Sequence, residues 1–473
     1  MKLWAHQQLA VETARSKQHL ALFYDIGTGK TGTMISILRE HYNAHQRIAR
    51  TIIFAPLSVC PQWKKEFLRF SKIDPNKILV LTASGKKRVE LFKRAQEAGH
   101  DAIVVTNYES VQIKDFYDLL EKWQPEIAIC DEGHRLKDSN SKRAKKIYPL
   151  TENCSRRFLL TGTPILNSLL DIFGQYRFLD RRILGDGFWS FRARHFYDAN
   201  AGKKFAFPEW VPFPNAAKDI AAKIAETSLQ AKREECLDLP PLQQIRVPIE
   251  LAPEQKMAYK QMSRDFITQL GGKLCTAEFA MTKTLRMQQI LAGFLQPDDA
   301  EPKFFEDQPR LDALMDIIES IGDKKAIIWT TFQPTYKQIA DRLEKAKLTY
   351  AFLTGEETTT QKINNVEAFC RGTTQFLISN PAAGGEGVNL QEAPVAIYYL
   401  RGYNLGHYLQ SAGRNYRGGS ERHSSIIHYQ LIAEQTLDEV IAQALFDKKN
   451  IGDAVLNWSL TLTDSKGNMG SKE

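Results

Sequence analysis

The stretch Asp25-Ile26-Gly27-Thr28-Gly29-Lys30-Thr31, reached from the apolar run Leu20–Tyr24, decides how the rest of the chain is read. A β-rich run that breaks into a glycine-bearing turn and then opens a helical pattern is what a phosphate-binding loop requires. Gly27 and Gly29 let backbone N–H groups close around phosphate oxygens, and the helix N-terminus adds the positive end of its dipole. Lys30 is placed to reach the β- and γ-phosphates, and the Thr31 hydroxyl to help hold Mg²⁺. Asp25, Ile26 and Thr28 complete the loop. The first glycine of the G-x-x-x-x-G-K-T pattern is missing, because Tyr24 stands there.

Outward from this loop, short apolar runs alternate with amphipathic stretches through the first 180 residues. Expected strands are Leu20–Tyr24, Thr51–Ala55, Ile78–Thr82, Ala102–Thr106, Glu126–Cys130 and Phe158–Thr161. Expected helices include Thr31–Tyr42, Gln62–Phe70, Phe116–Trp123 and Leu166–Leu179. Such alternation predicts a parallel sheet covered on both faces. From about Leu184 the pattern changes to aromatic-rich loops (Trp189, Trp210 and Phe213 among them) and long helical stretches near 217–233, 253–270 and 277–291. A strand-like Gln244–Leu251 lies among them. A second alternating block follows from about Arg310, with strands Ala326–Thr330, Thr349–Leu353, Gln375–Ser379 and Ala396–Tyr399. The expectation is an α/β chain of two parallel-sheet domains, 1–183 and 306–458, around a mainly helical insertion at 184–305, with a polar tail over 459–473.

The bulk properties agree with a soluble, ordered protein. Hydrophobic residues make up 43% of the 473 and charged residues 25%, enough to bury large cores. Lys and Arg number 63 against 55 Asp and Glu, a net charge of +8 that suits a polyanionic partner. The six cysteines contain no C-x-x-C pair, and Cys130 sits inside Ile127-Ala-Ile-Cys, so they read as buried thiols of a reducing compartment. No apolar run approaches 18 residues and no signal pattern opens the chain, so no membrane partner is expected. A cytoplasmic protein follows, in a bacterium or a virus-infected host cell, or a nuclear one if the source is eukaryotic.

Three further segments carry chemistry. In Ile127-Ala-Ile-Cys-Asp-Glu-Gly-His134 an apolar strand ends in adjacent carboxylates, at the sheet edge where ligands of open α/β sheets bind. About 100 residues after a phosphate loop and within one α/β block, Asp131 reads as a Mg²⁺ ligand and Glu132 as the group that orients and deprotonates water. Phe158-Leu-Leu-Thr-Gly-Thr-Pro164 brings the Thr161 and Thr163 hydroxyls to the same edge. The second block holds Gly384-Gly-Glu-Gly-Val-Asn389 and Gln410-Ser-Ala-Gly-Arg-Asn-Tyr-Arg417. Two arginines three apart on a helix would present adjacent guanidinium groups on one face, and one of them can act as an arginine finger on a nucleotide.

In order and spacing, Asp25–Thr31, Asp131–His134, Thr161–Pro164, Gly384–Leu390 and Gln410–Arg417 resemble motifs I, II, III, V and VI of superfamily 2 helicases. Thr51–Lys65 is similar to motif Ia, and Leu3-Trp-Ala-His-Gln7 to the Q motif. Leu239–Gln255, Thr106-Asn-Tyr-Glu109, Leu285–Ile290 and Lys325–Phe332 resemble landmarks of the Snf2 family in particular. The resemblance spans residues 3–450 and implies two RecA-like domains and an ATP-driven motor on double-stranded DNA. It implies that Gln7 and Gln410 contact ATP, that Lys30, Asp131, Glu132, Arg414 and Arg417 are catalytic, and that Arg417 is the finger. His134, Thr161, Thr163, Gly385 and Gly387 would couple phosphate state to motion, and Lys64, Thr106, Asn107 and Asn389 would contact DNA. Motif II departs from the family in reading Asp-Glu-Gly-His rather than Asp-Glu-Ala-His, a small-for-small exchange.

A motor of this kind tracks along intact duplex through phosphate and sugar contacts. Candidate basic clusters are Lys64, Lys65 and Arg69; Lys86, Lys87 and Arg88; and Lys142, Arg143, Lys145 and Lys146. The aromatic segment Gly187–Phe213 is a candidate duplex-distorting loop, with core packing as the plainer reading. The competing functions are an RNA-stimulated or strand-separating helicase, and a catalytically inactive DNA-binding scaffold. With its motifs running from Leu3 to about residue 420, the chain is expected to be a bare monomeric motor. Such a motor suits branch migration, fork remodelling or protein displacement on linear or branched DNA, with targeting from protein partners.

Overall fold

In the computed structural model, which describes residues 3–97, 101–203, 208–270, 277–296, 300–382 and 388–447, the apolar runs of the first block are strands of one sheet. They are β1 (His19–Tyr24), β2 (Thr51–Ala55), β3 (Ile78–Leu81), β4 (Ile103–Asn107), β5 (Ile127–Asp131) and β6 (Arg156–Leu160). A hairpin follows, β7 (Phe196–Asp198) with β8 (Trp210–Pro212), and then β9 (Ser228–Ala231), which joins the sheet beside β1. The sheet order is β3-β4-β2-β5-β6-β1-β9, parallel throughout. Strands β2, β4 and β5 are buried along their whole length, as expected when helices cover both faces. The period of two sorts β1 between the two cores: Ala21 and Phe23 pack on one face, and Leu20, Leu22 and Tyr24 on the other. All six strands open at their C-terminal ends toward the same edge, so Asp25, Asp131 and Thr161 emerge there together.

The second block builds its own sheet from β10 (Leu242–Ile249), β13 (Ala326–Trp329), β14 (Tyr350–Leu353), β15 (Phe376–Ser379), β16 (Val395–Tyr398) and β17 (Ile426–Ala433). The short pair β11 (Phe294–Leu295) and β12 (Lys303–Phe304) lies outside it. Its order, β10-β17-β16-β13-β15-β14, is again parallel. A buried ion pair, Arg310 with Asp438, ties the helix Pro309–Ile321 to the end of β17. Arg310 Nη1 also donates to the Tyr399 and Leu431 carbonyls, 2.6 and 3.1 Å away, so the buried charge is well solvated by protein.

Residues up to Leu237 form one compact unit and Asp238–Asp447 a second. The stretch 184–305 is therefore divided between them: β9 extends the first sheet and β10 the second. The helical pattern expected over 217–233 ends at Ile224, and Ser228–Ala231 is a strand because the open edge of β1 offers it a ladder of hydrogen bonds. The helix expected from Leu166 begins at Asp171, whose carboxylate instead accepts the N–H groups of Leu166 and Asn167 at 2.9 and 2.7 Å. Such local bonding competes with a helical start. The expected tail 459–473 lies outside the described residues.

Candidate functional site

The phosphate loop takes its shape from two left-handed glycines, Gly27 (φ 91°) and Gly29 (φ 83°), the second capping the helix Lys30–His45. A Cβ on Gly29 would come within 2.4 Å of Gln7 Nε2, so the loop needs glycine for space as well as conformation. Gln7, nearly buried, links the loop to the N-terminal helix: its side chain accepts from the Trp4 N–H at 3.0 Å and donates to the Gly29 carbonyl at 3.3 Å. His6 Nε2 lies 2.8 Å from the Thr28 carbonyl, and Thr28 Oγ1 donates to the Asp25 carbonyl at 2.8 Å. Lys30 folds back over the loop, donating to the carbonyls of Tyr24 (2.8 Å) and Asp25 (3.2 Å). The mouth of the loop is held from β9: the Arg233 N–H donates to Asp25 Oδ2 at 3.1 Å, and the Asp25 N–H to the Ala231 carbonyl at 3.0 Å.

Across the same sheet edge, Asp131 ends β5 as a buried residue, 5% exposed. Trp63 Nε1 donates to Asp131 Oδ2 at 2.9 Å, the Glu132 N–H to Oδ1 at 3.0 Å, and Tyr108 Oη to the Asp131 carbonyl at 2.7 Å. Burial, followed by the Glu132 charge, pushes the Asp131 carboxyl up to about 7. A buried acid raised this way suits a cation partner, and a carboxylate with the Thr31 hydroxyl is the hard-oxygen donor set that Mg²⁺ takes. Glu132 itself sits in the left-handed region (φ 51°), which turns the chain sharply as it leaves the strand.

The turn after β5 touches the exit of β6. His134 Nδ1 lies 3.0 Å from Thr161 Oγ1, 3.5 Å from Thr163 Oγ1 and 3.4 Å from Glu132 Oε2. The Thr163 N–H donates to Thr161 Oγ1 at 3.1 Å. Gly162 packs so closely on the phosphate loop that a Cβ there would be 3.0 Å from the Tyr24 carbonyl oxygen. Gly133 is equally constrained, since a Cβ would be 2.6 Å from Leu159 Cγ and Cδ1. The Gly in place of Ala in this motif is thus matched to Leu159 on β6.

Other expected residues sit differently. Thr106 is fully buried with its hydroxyl donating to the Leu81 carbonyl at 2.9 Å, so its side chain is not a surface contact here. Asn107, also buried, accepts from Arg88 Nη2 at 3.0 Å and donates to Glu109 at 3.1 Å. This removes Arg88 from the candidate DNA-facing cluster, because the residue is buried with Nη2 turned onto Asn107. Arg143 pairs with Glu109 at 3.0 Å, and Lys146 lies over the Tyr117 ring. Lys64 donates to the Ile78 carbonyl at 3.2 Å and is half-buried, while Asn389 is exposed.

In the second unit the helix Leu405–Asn415 stops before Arg417, so Arg414 and Arg417 do not share one helix face as expected. Arg414 is buried and donates to the Val388 carbonyl at 3.0 Å, and the Leu390 N–H returns a bond to the Arg414 carbonyl. Gln410 is buried, and Arg417 is half-buried beyond the helix. Gly385 and Gly387 lie outside the described residues. Three contributors went unassigned in the sequence reading: Trp63, Tyr108 and the β9 segment ending in Arg233. Trp63 stands inside the Thr51–Lys65 stretch, where a tryptophan eight residues after the end of β2 is the only signal available.

Among the described residues no helix is long and apolar enough to cross a membrane. Residues 6–303 match the model of the SNF2-related domain, and 309–419 that of the helicase conserved C-terminal domain. The chain is 24% identical over 469 residues to a putative protein p41 of Acyrthosiphon pisum secondary endosymbiont phage 1, covering 95% of this chain and 97% of that protein. It is 22% identical to a DNA repair and recombination protein RAD54-like of Drosophila mojavensis, covering 92% of this chain. Of that longer relative the chain spans 60%, and of the CHD3-type chromatin-remodeling factor PICKLE of Arabidopsis thaliana, 24% identical over 90% of this chain, it spans 32%. A Sulfolobus solfataricus SWI2/SNF2 ATPase core in complex with dsDNA aligns over 98% of this chain and 95% of that one, at 22% identity and a TM-score of 0.43.

Proposed function

The chain belongs to the SNF2-related family and is a DNA-dependent ATPase of helicase superfamily 2, and we propose that it uses ATP hydrolysis to move along double-stranded DNA. One observation carries the reading: Glu132, His134, Thr161 and Thr163 form a single contact group beside the phosphate loop. A change at the phosphates therefore has a short route into the β6 exit. Lys30 would leave its loop carbonyls for phosphate oxygens, Thr31 and Asp131 would hold Mg²⁺, and Glu132 would orient the attacking water. Gln7, Asp25, Ile26, Gly27, Thr28, Gly29 and Gln410 are assigned to ATP, Arg417 to catalysis, and Gly385 and Gly387 to coupling; Arg414, expected to be catalytic, is buried on the Val388 carbonyl and is assigned to framing that segment. Lys64 and Asn389 remain assigned to the DNA track; the burial of Thr106 and Asn107, with their polar groups already bonded, leaves both a supporting role there.

Duplex as the track is supported by family membership and by the net charge of +8. A translocase of this size, acting as a monomer in the cytoplasm with targeting from partner proteins, suits branch migration, fork remodelling or the displacement of bound proteins. The test pairs ATPase with movement. Stimulation by linear duplex, four-way junction, single strand and RNA is compared, beside ATP-dependent release of a third strand from a duplex. Duplex stimulation with third-strand release is expected, and Glu132→Gln should cut turnover by roughly 10²–10⁴ while ATP still binds. Equal stimulation by RNA or single strands would replace this reading with a strand-separating helicase. Unchanged turnover in Glu132→Gln protein would leave a DNA-binding scaffold.

A further inference from the structure

The helix Phe188–His195 and the hairpin β7–β8 supply none of the side chains assigned to the ATP chemistry above. Their inner side chains explain why they fold: Phe191 is buried against Phe173 and Phe196, and His195 is buried beside Phe191. Their outer side chains are not explained by folding. Trp189 is 66% exposed, Tyr197 44% and Phe213 41%, the last two stacked at 5.5 Å. An exposed tryptophan offers a large apolar area to water, and such areas mark binding surfaces; Tyr197 and Phe213 lie on the hairpin face opposite Trp210 and form a separate pair. The Arg192 guanidinium lies 4.3 Å from the centre of the Trp189 ring and 3.6 Å from that of Trp210, so it fixes the indole from one side.

Charge selects the occupant. The helix carries Arg192 and Arg194 and no acid. The acids flanking it are committed within the fold: Asp186 pairs with Arg177 and Arg181, and Asp198 accepts the N–H groups of Asn200 and Glu209. An exposed indole packed on a guanidinium, on a helix with arginines and no acid, fits a chain of π-faced groups on an anionic backbone.

We propose that this surface is a stacking platform for unpaired DNA bases, with Trp189 as the principal ring and Arg194 as a phosphate contact. It would hold the single-stranded arm of a fork or junction while the motor engages the adjoining duplex. The inference rests on the DNA motor reading for its use, but its binding step is measurable without ATP.

The test is fluorescence anisotropy of the full chain with a labelled oligo-dT, a forked duplex and a linear duplex, for wild type, Trp189→Ala and Trp189→Phe. Trp189→Ala should weaken binding of oligo-dT and fork by about 5- to 100-fold, the range for losing one stacked base. Linear duplex binding and duplex-stimulated ATPase should stay within about twofold, and Trp189→Phe should recover most of the loss because any ring can stack. Arg194→Ala should weaken oligo-dT binding and flatten its salt dependence. An unchanged oligo-dT affinity in Trp189→Ala protein with a wild-type melting curve would overturn the platform. So would an equal loss on linear duplex and oligo-dT. Absence of duplex-stimulated ATPase in the wild type would instead remove the motor reading and leave these binding results standing.

Discussion

The two units carry motif residues of the same kind, yet they use them differently. In the first, polar groups of the motifs converge on one open sheet edge: Lys30 over its loop, Asp131 under Trp63, His134 between Thr161 and Glu132. In the second, Arg414 is turned inward, its guanidinium bonded to the Val388 carbonyl and its own carbonyl to the Leu390 N–H. It stitches the helix Leu405–Asn415 to the segment leading to Leu390, and Asn415 does the same to the Ala393 carbonyl at 3.1 Å. Arg417, past the helix end, is less buried. The lesson is that a motif residue can serve as frame as well as reagent, and Arg414 is held as frame by the carbonyl it bonds.

The sharpest way to break this comparison is to remove each arginine singly. Arg417→Ala should lower the ATP turnover number by about 10³–10⁵, the worth of an arginine finger, with a smaller loss of stability than Arg414→Ala. Arg414→Ala should behave oppositely in kind, losing about 1–3 kcal/mol of stability because buried carbonyls lose a charged donor. Its turnover loss should be recovered in part at low temperature, where the fold is still populated. Steady-state ATPase alongside thermal unfolding separates the two. If Arg414→Ala kept its stability and lost turnover as severely as Arg417→Ala, the division into frame and reagent would fail.

A milder test applies the same question to the first unit. Gly133→Ala restores the alanine of related sequences, yet its Cβ would lie 2.6 Å from Leu159 Cγ. Leu159 is fully buried and cannot swing away cheaply, so overpacking should cost about 1–3 kcal/mol. In a Leu159→Ala background the same substitution should cost less, a non-additivity that a double-mutant cycle measures directly. Additive losses would mean that the glycine is tolerated by the loop and not matched to Leu159.

The sequence made the phosphate loop, the six strands β1–β6 and the acids of β5 readable because each is local: apolar runs, a period of two, and polar groups at strand exits. What stayed hidden depends on partners distant in the chain. Ser228–Ala231 reads as the tail of a helix until the edge of β1 is present to pair with it. Trp63 reads as a core residue until Asp131, 68 positions away, supplies an acceptor for its indole N–H. Thr106 and Asn107 carry the right identities for a surface contact, but Leu81 and Arg88 occupy their polar groups. Helix ends were the other weakness, since Arg417 differs from Arg414 only by lying two residues past a terminus that composition does not mark.

The smallest expected effect concerns the opposite end of β1 from the phosphate loop. His19 opens that strand, with Nδ1 accepting the Arg157 N–H at 3.2 Å and Nε2 3.2 Å from Arg157 Nη2. Burial first, then the Arg157 charge, pushes its imidazole down to about 4. An unfolded chain takes up this proton as pH falls through about 6.5, whereas the folded one resists until about 4. The unfolded state therefore binds more protons in that window, and stability must fall as pH drops from about 6.5 toward 4, levelling below. His41, also lowered by burial, adds a contribution of the same sign. His19→Gln should keep a neutral, bonding side chain and flatten the slope of melting temperature against pH between about 6.5 and 5 relative to wild type. Asp131 titrates near the same range but is present in both proteins, so the difference between the two slopes isolates His19. Identical slopes would mean that the imidazole is protonated in the fold, with Arg157 displaced from the position that holds Leu179, Thr151 and Glu152 through their carbonyls.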